Sequence, residues 1–116
     1  FAPIADFTLL ETAVAVARGL GVEMPVGNLL SSDNFYDASG STMKWGEMGV
    51  LAVEMEAAAL YLNAARAGKQ ALSITTVSDL PLKGESTSSE ERQKTFTQMM
   101  EVALAVASEA VDGHDK

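Results

Sequence analysis

Apolar residues recur at three- and four-residue spacing from Asp6 to Leu20, where Leu9, Leu10, Ala13, Val14 and Ala17 share one face. That spacing predicts an amphipathic helix. Asp6 or Thr8 can cap its start, and Gly19 or Gly21 can end it. The period then shortens. Val22 to Leu30 predicts a strand, bent or bulged because Pro25 and Gly27 interrupt it. Ser31 to Ser41 is polar and predicts a loop, with Phe35 and Tyr36 adjacent inside it. Two rings in a polar loop must pack on something, either the core or a ligand that they lid.

A short helix is predicted over Thr42 to Met48, followed by a strand over residues 49–54. An alanine-rich helix from Glu56 to Ala67 comes next, with Ala57, Leu60, Tyr61 and Ala64 on one face and Gly68 at its C′ position. Ala71 to Val77 is a further apolar run, predicting a strand over residues 70–78. Strand–helix–strand order of this kind predicts parallel pairing through a right-handed crossover. After a loop from Leu80 to Thr87, Ser88-x-x-Glu91 forms a capping box that opens the longest helix, Ser89 to Val111. Its expected core face is Phe96, Met100 (or Met99), Ala103, Ala107 and Ala110. Arg92, four residues before Phe96, is expected to project from that same stripe. The fold class is therefore α/β: a mixed, largely parallel sheet flanked by helices. Residues 1–111 read as part of one domain and 112–116 as a frayed tail.

Composition narrows the function classes. With 116 residues, one domain or less is expected, and 47% apolar content is enough for a core. The start at Phe1-Ala2-Pro3, with no initiator methionine, suggests a piece of a longer protein. Phe1 to Ala5 lacks the basic and apolar regions of a secretory signal, and no apolar run approaches the ~20 residues of a membrane span. The absence of cysteine removes disulfides and thiolate metal sites and fits a cytosolic protein. Eight Lys and Arg against sixteen Asp and Glu give a net charge of −8, which disfavours nucleic acid or an anionic membrane as partner. A small anionic substrate would need a local cradle, and only Lys44, Lys83, Arg92 and Lys94 lie near the loops of interest.

The chemistry concentrates at strand ends. Val53-Glu54-Met55-Glu56 joins a strand to a helix, and Ser78-Asp79 ends the next apolar run. Acids in a helix's first turn complement its dipole, which is one sufficient reason for Glu54 and Glu56. The other is a ligand, since open α/β sheets bind at the carboxyl ends of their strands. In a parallel sheet the junctions at Phe35-Tyr36, Glu54–Glu56 and Ser78-Asp79 would meet at one edge. An apolar platform, a pair of carboxylates, an isolated acid and an inward arginine would suit a nucleoside: a carboxylate beside its ribose diol can accept both hydroxyl protons and favour a developing oxocarbenium ion. A carboxylic acid beside the departing base can protonate it. Other motifs fail. Gly19-x-Gly21 follows a helix and has Met24 where a third glycine belongs, and the Asp33 loop has Lys44 where a calcium site needs glutamate. The sole histidine, His114, lies in the tail, so no Ser-His-Asp triad is expected.

Val53-Glu54-Met55-Glu56-Ala57-Ala58, Ser78-Asp79 and Glu91-Arg92-Gln93 together resemble the bacterial, hexameric type of purine nucleoside phosphorylase. Phe1 to Asp6 and Val26 to Asp33 look like that family too. The resemblance runs through the chain in order up to the tail and covers the C-terminal half of a full member. Val-Glu-Met-Glu marks the wider nucleoside phosphorylase superfamily, whereas Ser-Asp with the later Glu-Arg-Gln is more specific.

The resemblance implies roles residue by residue. Glu56 would hold the ribose 2′- and 3′-hydroxyls, with Met55 packed on the sugar. Phe35 would face the base, and Val53 and Glu54 would line its pocket. Asp79 would protonate the purine ring nitrogen, Ser78 would support Asp79, and Arg92 would swing toward Asp79 as the site closes. It implies reversible phosphorolysis of purine (deoxy)ribonucleosides in the cytoplasm, with inorganic phosphate as co-substrate and no cofactor or metal. Further partners would be the N-terminal half, which carries the phosphate loop, and other copies in a homo-oligomer, a hexamer in the family. Two alternatives stand beside it: a hydrolytic nucleosidase of the same superfamily, and a non-catalytic assembly module. Arg92 favours phosphorolysis over hydrolysis, and Asp79 favours purines over uridine.

Overall fold

The structure, a computed structural model, describes residues 1–34, 39–80, 85–86 and 88–114. Its elements in order are α1 (Phe7–Leu20), β1 (Asn28–Ser31), α2 (Ser41–Glu47), β2 (Val50–Glu54), α3 (Ala57–Arg66), β3 (Asp79–Leu80), β4 (Glu85–Ser86) and α4 (Ser89–His114). They fall into two compact units, one of Phe1–Ile4 with Pro25–Ala71, the other of Ala5–Met24 with Leu72–Lys116. The architecture is mixed α/β, with one parallel strand pair and one antiparallel pair.

In the first unit β1 and β2 run parallel, with Leu29 opposite Ala52, Leu30 opposite Val53 and Ser31 opposite Glu54. The Ser32 N–H continues the ladder to the Glu54 carbonyl at 2.9 Å. The expected strand over 22–30 is thus corrected to a later and shorter one. Pro25 has no N–H to give a ladder, and register is irregular between Asn28 and Leu29. Gly27 lies so close to Leu51 that a Cβ there would come within 2.6 Å of Leu51 Cδ1. α3 starts at Ala57, one residue after Glu56, and Gly68 follows its end at φ 66° as its C′ position demands. Ala57 is buried and Tyr61 and Ala64 are half-buried, but Leu60, expected on the same face, is exposed.

In the second unit Asp6 caps α1 by accepting the Leu9 N–H at 2.9 Å, and Gly21 closes it at φ 69°. Ala13 and Ala17 on α1 are buried with Val102 and Val106 on α4, and Leu9, Val16, Val22, Met24, Leu72 and Ile74 pack around them. This corrects the expected face of α4. Val102 is 1% exposed, whereas Phe96 is 38% and Met100 52% exposed. The helix is turned by about one residue, about 100°, so that β-branched valines sit over the small alanines of α1. Of the methionine pair, Met99 is the half-buried one. α4 also continues beyond Val111 to His114.

The expected strand over 70–78 forms no ladder among the described residues. Its side chains still alternate: Leu72 and Ile74 join the core, and the Thr76 hydroxyl is shared between Met99 Sδ at 3.3 Å and the Thr95 carbonyl at 3.5 Å. The segment has the periodicity of a strand without a partner to hydrogen-bond. Asp79 then opens a short antiparallel pairing, Asp79 with Ser86 and Leu80 with Glu85. The parallel crossover expected after α3 is accordingly not formed here; the parallel pair is β1–β2, joined through α2.

Candidate active site

The first group of expected site residues lies at the carboxyl end of β1 and β2. Val53 and Glu54 end β2, Met55 follows, and Glu56 is the N-cap residue of α3 with φ −124° and ψ −20°. A helix start leaves its first N–H groups without intrahelical partners. Here Glu54 supplies one. Its Oε2 accepts the Glu56 N–H at 2.7 Å and the Ala57 N–H at 2.6 Å. Ser31, across the strand pair, accepts the Ala58 N–H on its Oγ at 3.2 Å.

The two acids of the Glu-Met-Glu motif therefore do different work. Glu54 turns back to the helix, and its Oε1 is buried without a hydrogen-bond partner. Glu56 and Met55 are exposed, and among the described residues no group holds the Glu56 carboxylate. An open carboxylate of this kind can accept two hydroxyl protons from a vicinal diol. With three of its N–H groups already engaged by protein acceptors, the start of α3 has little left for a phosphate.

The second group lies in the other compact unit. Ser78 precedes β3, Asp79 pairs its backbone with Ser86, and two residues later the capping box of α4 begins. The box is formed as expected: the Glu91 N–H donates to Ser88 Oγ at 3.2 Å, and the Ser88 N–H to Glu91 Oε2 at 3.4 Å. Arg92 donates its N–H to the Ser88 carbonyl at 3.0 Å, so it sits in the first turn. The β3–β4 pairing thus ties the backbone of Asp79 to the segment that leads into Arg92. Asp79 is not at the end of a strand in the β1–β2 sheet, which corrects the expectation that all three junctions belong to one parallel sheet.

Arg92 shares a face with Phe96 and Met100, as the four-residue spacing requires, but that face is open. Together with Ser89, Gln93 and Thr97 these residues line a shallow groove along α4. Phe35, and Tyr36 beside it, lie outside the described residues. Sequence reasoning missed Ser31. The available signal was a small hydroxyl at a strand end, a residue type that caps helices. Among the described residues no cluster of His, Cys, Asp and Glu could hold a metal ion, and no helix is long and apolar enough to cross a membrane.

Comparison with known proteins extends this picture. The family model of the Phosphorylase superfamily matches residues 1–112. The chain is 52% identical over 107 residues to a purine nucleoside phosphorylase DeoD-type of Geobacillus kaustophilus, covering 92% of this chain and 45% of that protein. It is 50% identical over 109 residues to the DeoD-type enzyme of Bacillus subtilis, covering 94% and 47%. A solved structure described as the P knowlesi homolog of P falciparum PNP superposes with a TM-score of 0.72 at 25% identity, covering 93% of this chain and 46% of that one. The chain spans about half the length of the curated relatives that it matches. Because the family match extends over almost every residue, the chain belongs to the Phosphorylase superfamily.

Proposed function

We propose that this chain supplies the base- and ribose-binding part of a purine nucleoside phosphorylase, which cleaves purine (deoxy)ribonucleosides with inorganic phosphate to free base and (deoxy)ribose 1-phosphate. The observation that carries the reading is the division of labour between Glu54 and Glu56 at the carboxyl end of a parallel strand pair. It leaves one exposed carboxylate beside an exposed methionine, a surface suited to a sugar with two adjacent hydroxyls. Similarity to the DeoD-type phosphorylases over most of the chain supports the same reading.

In this scheme Glu56 accepts the ribose hydroxyls and Met55 packs on the ring. Phe35, Val53 and the backbone at Glu54 face the base. As the glycosidic bond lengthens, positive charge grows on the sugar, and a nearby carboxylate favours it. Asp79 gives a proton to the purine ring nitrogen, Ser78 supports it, and Arg92 stabilises the carboxylate left behind. Phosphate completes the sugar product, held by residues outside this chain, and no cofactor is required. The working form is a cytoplasmic homo-oligomer, a hexamer.

The test is base release from inosine by the complete protein, with and without phosphate. Release that requires phosphate and yields ribose 1-phosphate supports phosphorolysis. Equal release without phosphate makes the protein a nucleosidase, and no release under either condition makes it a non-catalytic module.

A further inference from the structure

We infer that Glu54 and Ser31 are positioning residues that aim the Glu56 carboxylate by fixing the start of α3, and that the Glu54 carboxylate does not itself touch the nucleoside. This rests on the proposal that Glu56 holds the ribose. Glu56 stands at the N-cap of α3. Its side chain is exposed, and among the described residues no group orients it. Among the described residues, its direction is set by its backbone.

That backbone is pinned on both sides. The Glu56 N–H and the next N–H, of Ala57, both donate to one oxygen, Glu54 Oε2, at 2.7 and 2.6 Å. One residue further, the Ala58 N–H is held by Ser31 Oγ at 3.2 Å. Ser31 and Glu54 are in turn locked to each other as register partners on neighbouring strands. Three consecutive N–H groups are thus tied to the rigid end of a strand pair. Displacing a substrate-holding group by about 1 Å can cost on the order of 10²-fold in rate. A carboxylate occupied by two N–H donors, with its second oxygen buried, has no exposed acceptor to offer a base.

The experiment places Glu54→Ala, Glu54→Gln, Ser31→Ala and Glu56→Ala in the complete phosphorylase. Each variant is assayed on inosine and on its 2′,3′-dideoxy analogue. Loss of a side-chain helix cap predicts a fall in kcat/KM on inosine of roughly 3- to 30-fold for Glu54→Ala. The analogue, which lacks the hydroxyls that Glu56 reads, should change by less than about twofold, within the worth of a helix cap. Adding Glu54→Ala to Glu56→Ala should cost nothing more, because both act through one contact. Glu54→Gln keeps an acceptor oxygen and should recover most of the loss. Equal losses on both substrates, or losses that add to those of Glu56→Ala, overturn the inference and put Glu54 on the base. If Glu54→Ala does not fold, Ser31→Ala must show the same sugar-selective loss at smaller size, and its absence overturns the inference as well. A Glu56→Ala variant that does not discriminate between the substrates shows instead that the ribose reading itself has failed.

Discussion

Ser31 and Glu54 stand opposite each other at the carboxyl end of the parallel strand pair, and both side chains turn to the same helix start. Neither is in the helix that it caps. A strand end thereby supplies what α3 lacks at its own N-terminus, where the N-cap residue Glu56 makes no side-chain cap.

Removing the Ser31 hydroxyl should expose one amide and leave its neighbour guarded. Ser31→Ala is expected to destabilise the start of α3 by about 0.5–1 kcal/mol. Amide hydrogen exchange should speed up at Ala58 and stay unchanged at Ala57, which Glu54 still holds. Equal acceleration at both positions would show that the two caps are not independent.

The face of α4 can be checked by stability. Val102 is buried against α1, so Val102→Ala should cost about 1–3 kcal/mol, between the costs of Ile→Val and Leu→Ala. Leu104 is 72% exposed, and at concentrations too low for association Leu104→Ser should stay within about 0.5 kcal/mol. Urea midpoints of the two variants decide the matter. The reverse ranking would return the face expected from Phe96 and Met100.

That helix shows where sequence reasoning ran out. Its start was legible because Ser88 and Glu91 satisfy each other locally. The ends of α1 and α3 were legible for a similar reason, since Gly21 and Gly68 adopt a left-handed conformation that other residues resist. Which stripe of α4 is buried depends on its partner, and the sequence carries two apolar stripes one residue apart. Residues 70–78 failed as a strand for the complementary reason: alternation is a property of one segment, but a ladder needs two. At the candidate site the Glu-Met-Glu motif was visible, while the turn of Glu54 back onto the start of α3 was not. Holding a helix end and holding a ligand are compatible with the same spacing, and only the direction of Glu54 back toward α3 separates them.

The open stripe of α4 implies company. Phe96, Met100, Leu104 and Val111 are exposed along one side of the helix. Monomeric proteins rarely leave such a patch uncovered. The isolated 12.2 kDa chain should therefore associate in solution, with an apparent mass that rises with concentration in light scattering. A compact monomer across the whole range would count against this.

Asp79 provides the sharpest catalytic test. If it protonates the departing purine, Asp79→Asn in the complete enzyme should lose ~10²–10⁴-fold in turnover of inosine. A 7-methylated nucleoside already carries the positive charge, so its loss should be much smaller. Arg92→Ala should follow the same order, because Arg92 acts through the same transfer. Glu56→Ala should instead slow both ribosides alike. Equal losses on both substrates for Asp79→Asn would remove the general-acid role.

The packing of Ala13 and Ala17 on Val102 and Val106 joins two helices far apart in sequence, α1 and α4. On the ribosome α1 is made before its partner helix. At about 5–20 residues per second, the apolar side of α1 waits on the order of ten seconds for α4 to arrive. The unit of residues 1–4 and 25–71 has no such wait for α4, because β1, α2, β2 and α3 all precede it in the chain. Synthesis order therefore favours an early intermediate in which the strand pair and α3 are assembled while α1 still lacks Val102 and Val106, and a chaperone that binds exposed aliphatic helices would compete with α4 for α1 during that interval.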